Sequence, residues 1–226
     1  MDYGAVILGW KRPESLKRTV DSVKAQHHPP ATIVVWHNAP SSQVIEGVVN
    51  VVAGENFGCP ARHAVALLMS EEVVVFVDDD LELIDQSICE RLASSAIAAG
   101  VGVVGWRGRN IAPDGPSPYS IMPETPPGPA DVVKGLLHAT RRQLLAEAFR
   151  TAAGLSQDIR REDDIVLSAS ITMQTGLTHW VDDLPARSVA VTRDGCGLEN
   201  RSDHMQRRDA AAQAMIALGW RPPSWD

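Results

Sequence analysis

The chain has 226 residues, of which 44% are hydrophobic and 22% charged, an ordinary balance for one globular domain. The net charge is −7, with 7 Lys+Arg and 13 Asp+Glu in the first 100 residues and 14 and 15 in the rest, so neither part is a basic domain and the bulk charge does not indicate a nucleic-acid groove. A local Arg-lined groove would not show in these sums, because binding depends on local charge. Three widely spaced cysteines, Cys59, Cys89 and Cys196, argue against a disulfide framework and a structural zinc site.

The first 106 residues alternate between short apolar runs and helical segments. Pro13 suits the first turn of a helix, and VVVFV at 73–77 is the strongest strand signal. In chain order we predict strand 6–8, helix 13–26, strands 32–36 and 48–52, helix 60–69, strand 73–77, helix 85–99 and strand 101–106. This alternation predicts an α/β fold with a doubly wound, mostly parallel sheet, which binds ligands at the carboxyl ends of its strands.

The pattern breaks at residues 107–129, which hold seven of the fifteen prolines and three glycines. We predict a long loop there, and long loops in compact domains are usually mobile or functional. Beyond it we predict strand 132–137, a helix 140–153 capped by Thr140, helix 162–174, strands 179–181 and 188–192, and a last helix 203–218 after the N-cap Ser202.

Three consecutive carboxylates, Asp78, Asp79 and Asp80, directly follow the strongest predicted strand. Carboxylates crowded at the ligand edge of a sheet repel one another unless a cation lies among them. Mg²⁺ and Mn²⁺ prefer such oxygen ligands and keep positions open for phosphate oxygens. The motif therefore indicates a metal–diphosphate site, although an acidic helix cap, a phosphatase or a phosphoreceiver would show the same residues.

Two further charged clusters allow a structural and a functional interpretation. Residues 162–164 (Glu-Asp-Asp) open a predicted helix, where acidic side chains complement the helix dipole or place a carboxylate beside a reacting sugar. His204, Arg207 and Arg208 share one helical face, which suits either a diphosphate leaving group or a solvated helix end.

Five segments occur in the order found in exostosin-type glycosyltransferase domains, and together they resemble that family (glycosyltransferase family 2/64-like). They are TIVVWHNAP at 32–40, VFVDDDLELI at 75–84, VVKGLLHATRRQLL at 132–145, REDDIVLSASI at 161–171 and SDHMQRR at 202–208. The chain departs from the family pattern at His37 and at Gly9-Trp10.

The resemblance implies one GT-A (Rossmann-like) domain over residues 1–226, with a nucleotide-sugar half at 1–106, the Pro-rich loop at 107–129 and an acceptor and catalytic half at 130–226. It implies donor contacts from Asn38, Asn56, Arg62 and Asp78, Mn²⁺ or Mg²⁺ on Asp80, and catalysis by Asp163, Asp164 and Arg208. To these we add Arg12, Asp79 and His204 as donor contacts and Asp78 as a second metal ligand. We assign Trp106 and His138 to the acceptor, although Trp106 would equally suit core packing. Taken alone, the polar residues near strand ends are more typical of turns.

We therefore expect a metal-dependent glycosyltransferase that moves a sugar from a UDP-sugar to a hydroxyl group, with retention of configuration favoured. The expected acceptor is a glycan. The alternative is a hydroxymethylated base of phage DNA, with Arg107, Arg109, Arg141 and Arg142 on the acceptor side.

Other classes of protein share parts of this pattern. A sugar- or nucleotide-binding module without activity would keep the fold but need not keep Asp80 and Asp164. A sugar nucleotidyltransferase should carry a Gly-rich loop after the first strand, and a phosphohydrolase would need no donor. The sequence shows no secretory leader and no apolar run approaching 18 residues, so we expect the cytoplasm of a bacterial cell or of a phage-infected host.

Overall fold

The structure is a computed structural model that describes residues 1–40, 43–192 and 200–225. Its strands are β1 Gly4–Gly9, β2 Thr32–His37, β3 Val49–Val52, β4 Val73–Asp78, β5 Leu81–Leu83, β6 Val101–Gly105, β7 Gly108–Arg109, β8 Glu124–Thr125, β9 Gly128–Ala130, β10 Val132–Val133, β11 Leu137–Arg141, β12 Thr178–Val181 and β13 Val189–Val191. Its α-helices are α1 Pro13–Lys24, α2 Ala61–Ala66, α3 Ile88–Ala96, α4 Arg142–Ala152, α5 Gln157–Arg160, α6 Asp163–Thr175 and α7 His204–Ala217.

Eight of these strands form one sheet in the order β3-β2-β1-β4-β11-β6-β12-β9. Only β11 and β9 run antiparallel to the other strands of this sheet. The chain starts at β1, moves outward to β2 and β3, and then crosses to β4 on the other side of β1. This reversal leaves a crevice at the carboxyl ends of β1 and β4. The predicted mostly parallel, doubly wound α/β fold is confirmed.

Alternation along the central strands divides the core between the two faces of the sheet. Ile7 and Val75 point to the face covered by α1 and α3, whereas Val6 and Phe76 point to the face covered by α2, α4 and α6. All four side chains are fully buried, which explains why β1 and β4 are continuous apolar runs. A third core cluster joins α6 and α7 to the Pro-rich segment through Tyr119 and other buried side chains.

The Pro-rich segment 107–129 is more ordered than we predicted. It contributes the short strands β7 and β8 and most of β9, so the prediction of an uninterrupted loop is wrong. Pro129 fits into β9 because β9 is the edge strand of the large sheet, where a missing backbone N–H breaks no ladder.

The predicted strand 132–137 is also wrong, because β10 ends at Val133 in the small sheet β10-β7-β8 and β11, in the large sheet, begins only at Leu137. Strand β11 then continues through Thr140, whose hydroxyl donates to the Gly102 carbonyl (2.7 Å), and α4 begins only at Arg142. Thr140 is therefore a buried strand residue rather than a helix cap. An apolar run followed by Thr gives no local signal that distinguishes these two roles.

Smaller differences concern element ends. Strand β5 and helix α5 were not predicted, α2 and α3 are shorter than predicted, and α7 starts at His204 after Asp203 rather than after Ser202. Cys59 and Cys89 are free thiols, and Cys196 lies outside the described residues. Within residues 1–40, 43–192 and 200–225, no helix combines the length and apolar composition that crossing a bilayer requires.

Candidate active site

The aspartate triad lies in the crevice between the carboxyl ends of β1 and β4, and the turn after β1 holds it there. Lys11 adopts a positive φ of 59°, an uncommon conformation for a residue with a side chain. In this turn the Trp10 N–H donates to Asp79 Oδ2 (2.5 Å) and Arg12 Nη1 donates to Asp79 Oδ1 (2.9 Å). Arg12 Nη1 also lies 3.2 Å from Asp80 Oδ2.

Crowding makes the triad electrostatically costly. Burial raises the pKa of Asp78 to about 8, and the neighbouring Asp80 and Asp79 carboxylates add to this effect while Arg62 opposes it. Burial likewise raises the pKa of Asp79 to about 6, against the stabilising Trp10 N–H and Arg12. Further positive charge at this edge would relieve the repulsion.

Arg62 connects the triad to the second acidic cluster. Its side chain is only 3% exposed, and its Nε and Nη2 donate to the two carboxylate oxygens of Asp163 (2.8 and 3.2 Å). Nη1 donates to Asp78 Oδ1 (2.6 Å) and to the Gly135 carbonyl (2.7 Å). A Cβ at position 135 would lie 2.7 Å from Arg62 Nη2, so the glycine leaves room for the guanidinium in this position. Arg62, which we predicted to contact the donor, thus joins Asp78 and Asp163 inside the protein, and we call this arrangement the internal clamp.

Asp164 and Arg208, both predicted catalytic residues, form a buried ion pair. Arg208 Nη2 donates to Asp164 Oδ2 at 2.7 Å, and the Gly135 N–H donates to the same oxygen at 3.1 Å. Burial alone would raise the pKa of Asp164, but Arg208 and these hydrogen bonds lower it to about 2. Asp164 is therefore a carboxylate at any physiological pH.

Tyr119, which sequence reasoning missed, holds this ion pair from the Pro-rich segment. The Arg208 guanidinium lies 4.3 Å from the centre of the Tyr119 ring, and that of Arg109 lies 4.7 Å from it. Asp209 accepts from the Tyr119 and Ser120 N–H groups at 2.9 and 2.8 Å. The segment is thereby fastened to α7 beside the predicted catalytic residues.

The first two turns of α7 carry the basic cluster. His204 is its first residue and is partly exposed, one turn before Arg208 on the same face. Arg207 lies near Glu162 Oε1 (3.4 Å) and Asp158 Oδ1 (3.3 Å), and Arg208 Nη1 donates to Glu162 Oε2 (3.3 Å). The cluster is thus neutralised by the acidic residues around the start of α6.

The two predicted asparagines both hydrogen-bond to Gly58, Asn38 from directly after β2 and Asn56 from the loop after β3. Asn38 is 2% exposed, accepts from the Phe57 N–H (3.1 Å) and donates to the Gly58 carbonyl (3.1 Å). Asn56 is exposed and accepts from the Gly58 N–H (2.8 Å). Asn38 therefore shapes the loop after β3, and Asn56 is the one of the pair with an exposed side chain.

The two predicted acceptor residues, Trp106 and His138, lie in different environments. Trp106 follows β6 at the carboxyl edge of the sheet and lines a cavity of about 420 Å³, with the Arg107 guanidinium 4.3 Å from the centre of its ring. His138 is 1% exposed, stacks on Phe76 at 4.7 Å, and lies with Nε2 3.5 Å from His63 Nε2. The side chain of His138 points from β11 into the core and does not line the cavity beside Trp106.

The arginines proposed to face a DNA acceptor do not lie together. Because β11 is antiparallel to β4, Arg141 and Arg142 lie at the opposite edge from the triad, where each donates to a main-chain carbonyl. Arg109 is buried against Tyr119. Of the four, only Arg107 is both exposed and at the cavity.

The carboxylates have the chemistry that a divalent cation requires. In the described part of the chain, no group of three or more His, Cys, Asp or Glu side chains is already arranged around one metal position. Mg²⁺ is commonly held by only one or two carboxylates, with substrate phosphates and water completing its shell. Asp78, whose side chain is 26% exposed, and Asp80 fit this mode, with Arg62 and Arg12 as the cationic groups now beside them.

Comparison with solved structures shows the GT-A fold. The chain matches a mannosyltransferase from Pyrobaculum calidifontis in complex with GDP-Man and Mn²⁺ (TM-score 0.66, 16% identity, 98% of this chain and 66% of that one). It matches S. aureus TarS 1–349 with a TM-score of 0.59 and 12% identity, over 100% of this chain and 74% of that one. It also matches Mycobacterium tuberculosis glucosyl-3-phosphoglycerate synthase in complex with Mn²⁺, UDP and glucosyl-3-phosphoglycerate. The TM-score is 0.63 and the identity 14%, over 96% of this chain and 80% of that one. No family model and no curated protein sequence matches the chain.

Proposed function

We propose that this chain is a metal-dependent glycosyltransferase that transfers a sugar from a UDP-sugar to a hydroxyl acceptor. The observation that carries the proposal is the placement of the Asp78–Asp80 triad in the crevice of a GT-A fold, joined through Arg62 to the acidic pair Asp163 and Asp164. The five segments that resemble exostosin-type domains support the same assignment. In this proposal residues 1–106 bind the nucleotide, and residues 130–226 supply the acceptor and catalytic groups.

The donor diphosphate belongs at the carboxyl edge between β1 and β4. Asp78 and Asp80 would hold Mn²⁺ or Mg²⁺, which when bound neutralises charge on a leaving diphosphate as a Lewis acid. Asn56 is an exposed side chain on the nucleotide side, and His204 lies at the N-terminal end of α7, where the helix dipole favours anionic groups.

Asp164 acts through its charge. A general base works best when its pKa lies near the operating pH, whereas Arg208 and the Gly135 N–H hold the pKa of Asp164 below its ordinary value against the effect of burial. A carboxylate that resists protonation instead stabilises the positive charge of an oxocarbenium-like transition state. This supports retention of configuration over a mechanism that needs a base at this position.

The test is a thermal-shift screen of nucleoside diphosphates with and without Mn²⁺, followed by measurement of UDP release from UDP-sugars. A ligand present at 100 times its Kd raises the free energy of unfolding by about 2.7 kcal/mol. For a chain of this size that corresponds to a rise in Tm of roughly 5–11 °C. We expect that rise with UDP plus Mn²⁺, its loss in Asp80→Asn, and its retention in Asp114→Asn, a control at an exposed loop position.

Two outcomes would count against the proposal in different ways. Stabilisation by UDP and Mn²⁺ without any release of UDP from UDP-sugars would make the chain a nucleotide-binding module. Failure of every nucleoside diphosphate to bind would remove the donor site itself.

A further inference from the structure

We propose that the cavity beside Trp106 is the acceptor subsite and that it takes an uncharged polyhydroxylated molecule, a saccharide or glycoside. The proposal rests on the proposed function, because it assumes a sugar donor bound at the aspartate triad. It adds the location of the acceptor and its chemical class.

Backbone hydrogen bonds place the cavity directly beside the triad. The first residues of β11 separate the two, since the Asp78 N–H donates to the Leu136 carbonyl (2.9 Å) and the Trp106 N–H to the Leu137 carbonyl (3.0 Å). Two strand spacings therefore separate Asp78 from Trp106, a distance of about 10 Å. A donor sugar that extends from a diphosphate at the triad would reach the mouth of the cavity.

A second set of backbone hydrogen bonds connects the triad to the same cavity, through strands β5 and β13. Strand β13 pairs with β5, the strand that follows the triad, and Val191 lies opposite Leu81. The Thr192 N–H donates to the Asp80 carbonyl at 2.7 Å. Val191 lines the cavity, so the cavity wall is hydrogen-bonded to the triad itself.

The walls of the cavity differ in polarity. Residues 107–125 supply polar side chains, namely Arg107, Glu124 and Thr125, whereas the stretch 181–191 supplies Val181, Leu184, Val189 and Val191 together with Asp182. A sugar ring has hydroxyl groups around its edge and C–H groups on its faces. A cavity with hydrogen-bonding groups on one segment and apolar groups on the other matches both parts.

The charged residues that line the cavity are one cation, Arg107, and two anions, Glu124 and Asp182, which disfavours a polyanion. Glu124 lies 3.6 Å from Arg107 and also contacts Lys134, and the buried Asp182 pairs with Arg91. DNA binding relies on several Lys or Arg side chains that face phosphates, and here Glu124 and Asp182 face the ligand as well. At about 420 Å³ the cavity has the size of a small-molecule site, roughly 300–1,000 Å³.

The experiment fills the cavity and compares three readouts. Thr125→Trp and Val191→Trp each fill it from a different segment. Ala25→Trp is the matched control, because Ala25 lines a groove of about 410 Å³ between α1 and the residues that follow β5. The readouts are Mn²⁺-dependent UDP binding, slow hydrolysis of UDP-sugars, and acceleration of UDP release by a panel of free disaccharides, nitrophenyl glycosides and a hydroxymethylated oligonucleotide.

We expect at least one saccharide or glycoside to accelerate UDP release from the unaltered protein. Each cavity-filling variant should lower that acceleration at least tenfold while UDP binding and donor hydrolysis stay within twofold, and Ala25→Trp should change none of the three. Unchanged acceleration in both cavity-filling variants would overturn the proposal. Acceleration by the oligonucleotide alone, or by no member of the panel, would overturn it as well. Absence of UDP binding in the unaltered protein would overturn the proposed function and this proposal with it.

Discussion

Replacing Arg62 by Met should destabilise the fold strongly, because Arg62 is the cation between two acidic clusters. The substitution keeps an unbranched side chain but leaves Asp163, 7% exposed at its side chain, without its bidentate partner. Removing one member of a buried ion pair costs about 3–5 kcal/mol. Asp78 also loses its partner, but because burial already raises its pKa to about 8 it can take up a proton instead of remaining an unpaired charge, so it adds less to that cost. For a chain of this size the expected fall in Tm is roughly 6–20 °C.

The assay is urea unfolding followed by far-UV circular dichroism, with Arg150→Met as the control. Arg150 is 68% exposed at its side chain and contacts only Glu147 on the same helix among its ion pairs in the described structure, so its loss should cost less than about 0.5 kcal/mol. Adding Asp163→Asn to Arg62→Met should recover at least about 1 kcal/mol, because it removes the unpaired charge. An Arg62→Met protein as stable as the Arg150→Met control would refute the internal clamp.

Three further outcomes follow from the same contacts. Asp164→Asn should leave UDP binding intact and lower transfer at least about 100-fold, because it removes the charge that stabilises the transition state, and wild-type turnover would remove Asp164 from the mechanism. Tyr119→Leu should cost about 1–2 kcal/mol more in urea unfolding than Tyr119→Phe, because only phenylalanine keeps the ring against Arg208 and Arg109; equal losses would show that the stacking contributes nothing. Burial lowers the pKa of His179 to about 4, below the unfolded value of about 6.5. Its contribution to the free energy of unfolding is therefore intact above pH 6.5, and about 3 kcal/mol of it is lost as the pH falls toward 4. His179→Gln should therefore lose less stability than wild type between pH 7 and pH 5, and identical losses would contradict this.

The central half of the fold could be predicted because its signals are local. A buried parallel strand needs a continuous apolar run, and VVVFV before the aspartates is such a run. Pro13 marks the start of α1 because its ring suits the first helical turn. The triad at the carboxyl edge then follows from the direction of β4.

The missed parts depend on contacts between residues far apart in the chain. Arg62 and Asp163 are 101 positions apart, so no periodicity indicates that they form one clamp. Tyr119 lies in a Pro-rich stretch without helical or strand spacing, yet it is 1% exposed because Arg208 and Asp209 hold it from α7. The burial of His138 likewise has no local signal, because the residues before β11 are held at Gly135 by the distant side chains of Arg62 and Asp164.

The most direct test of the donor site is a crystal grown with UDP and Mn²⁺ and measured at a wavelength where manganese scatters anomalously. We predict one manganese peak about 2 Å from a carboxylate oxygen of Asp80 and bonded to both phosphates of UDP. A manganese peak away from the triad, or UDP bound with no metal at Asp78 or Asp80, would contradict it.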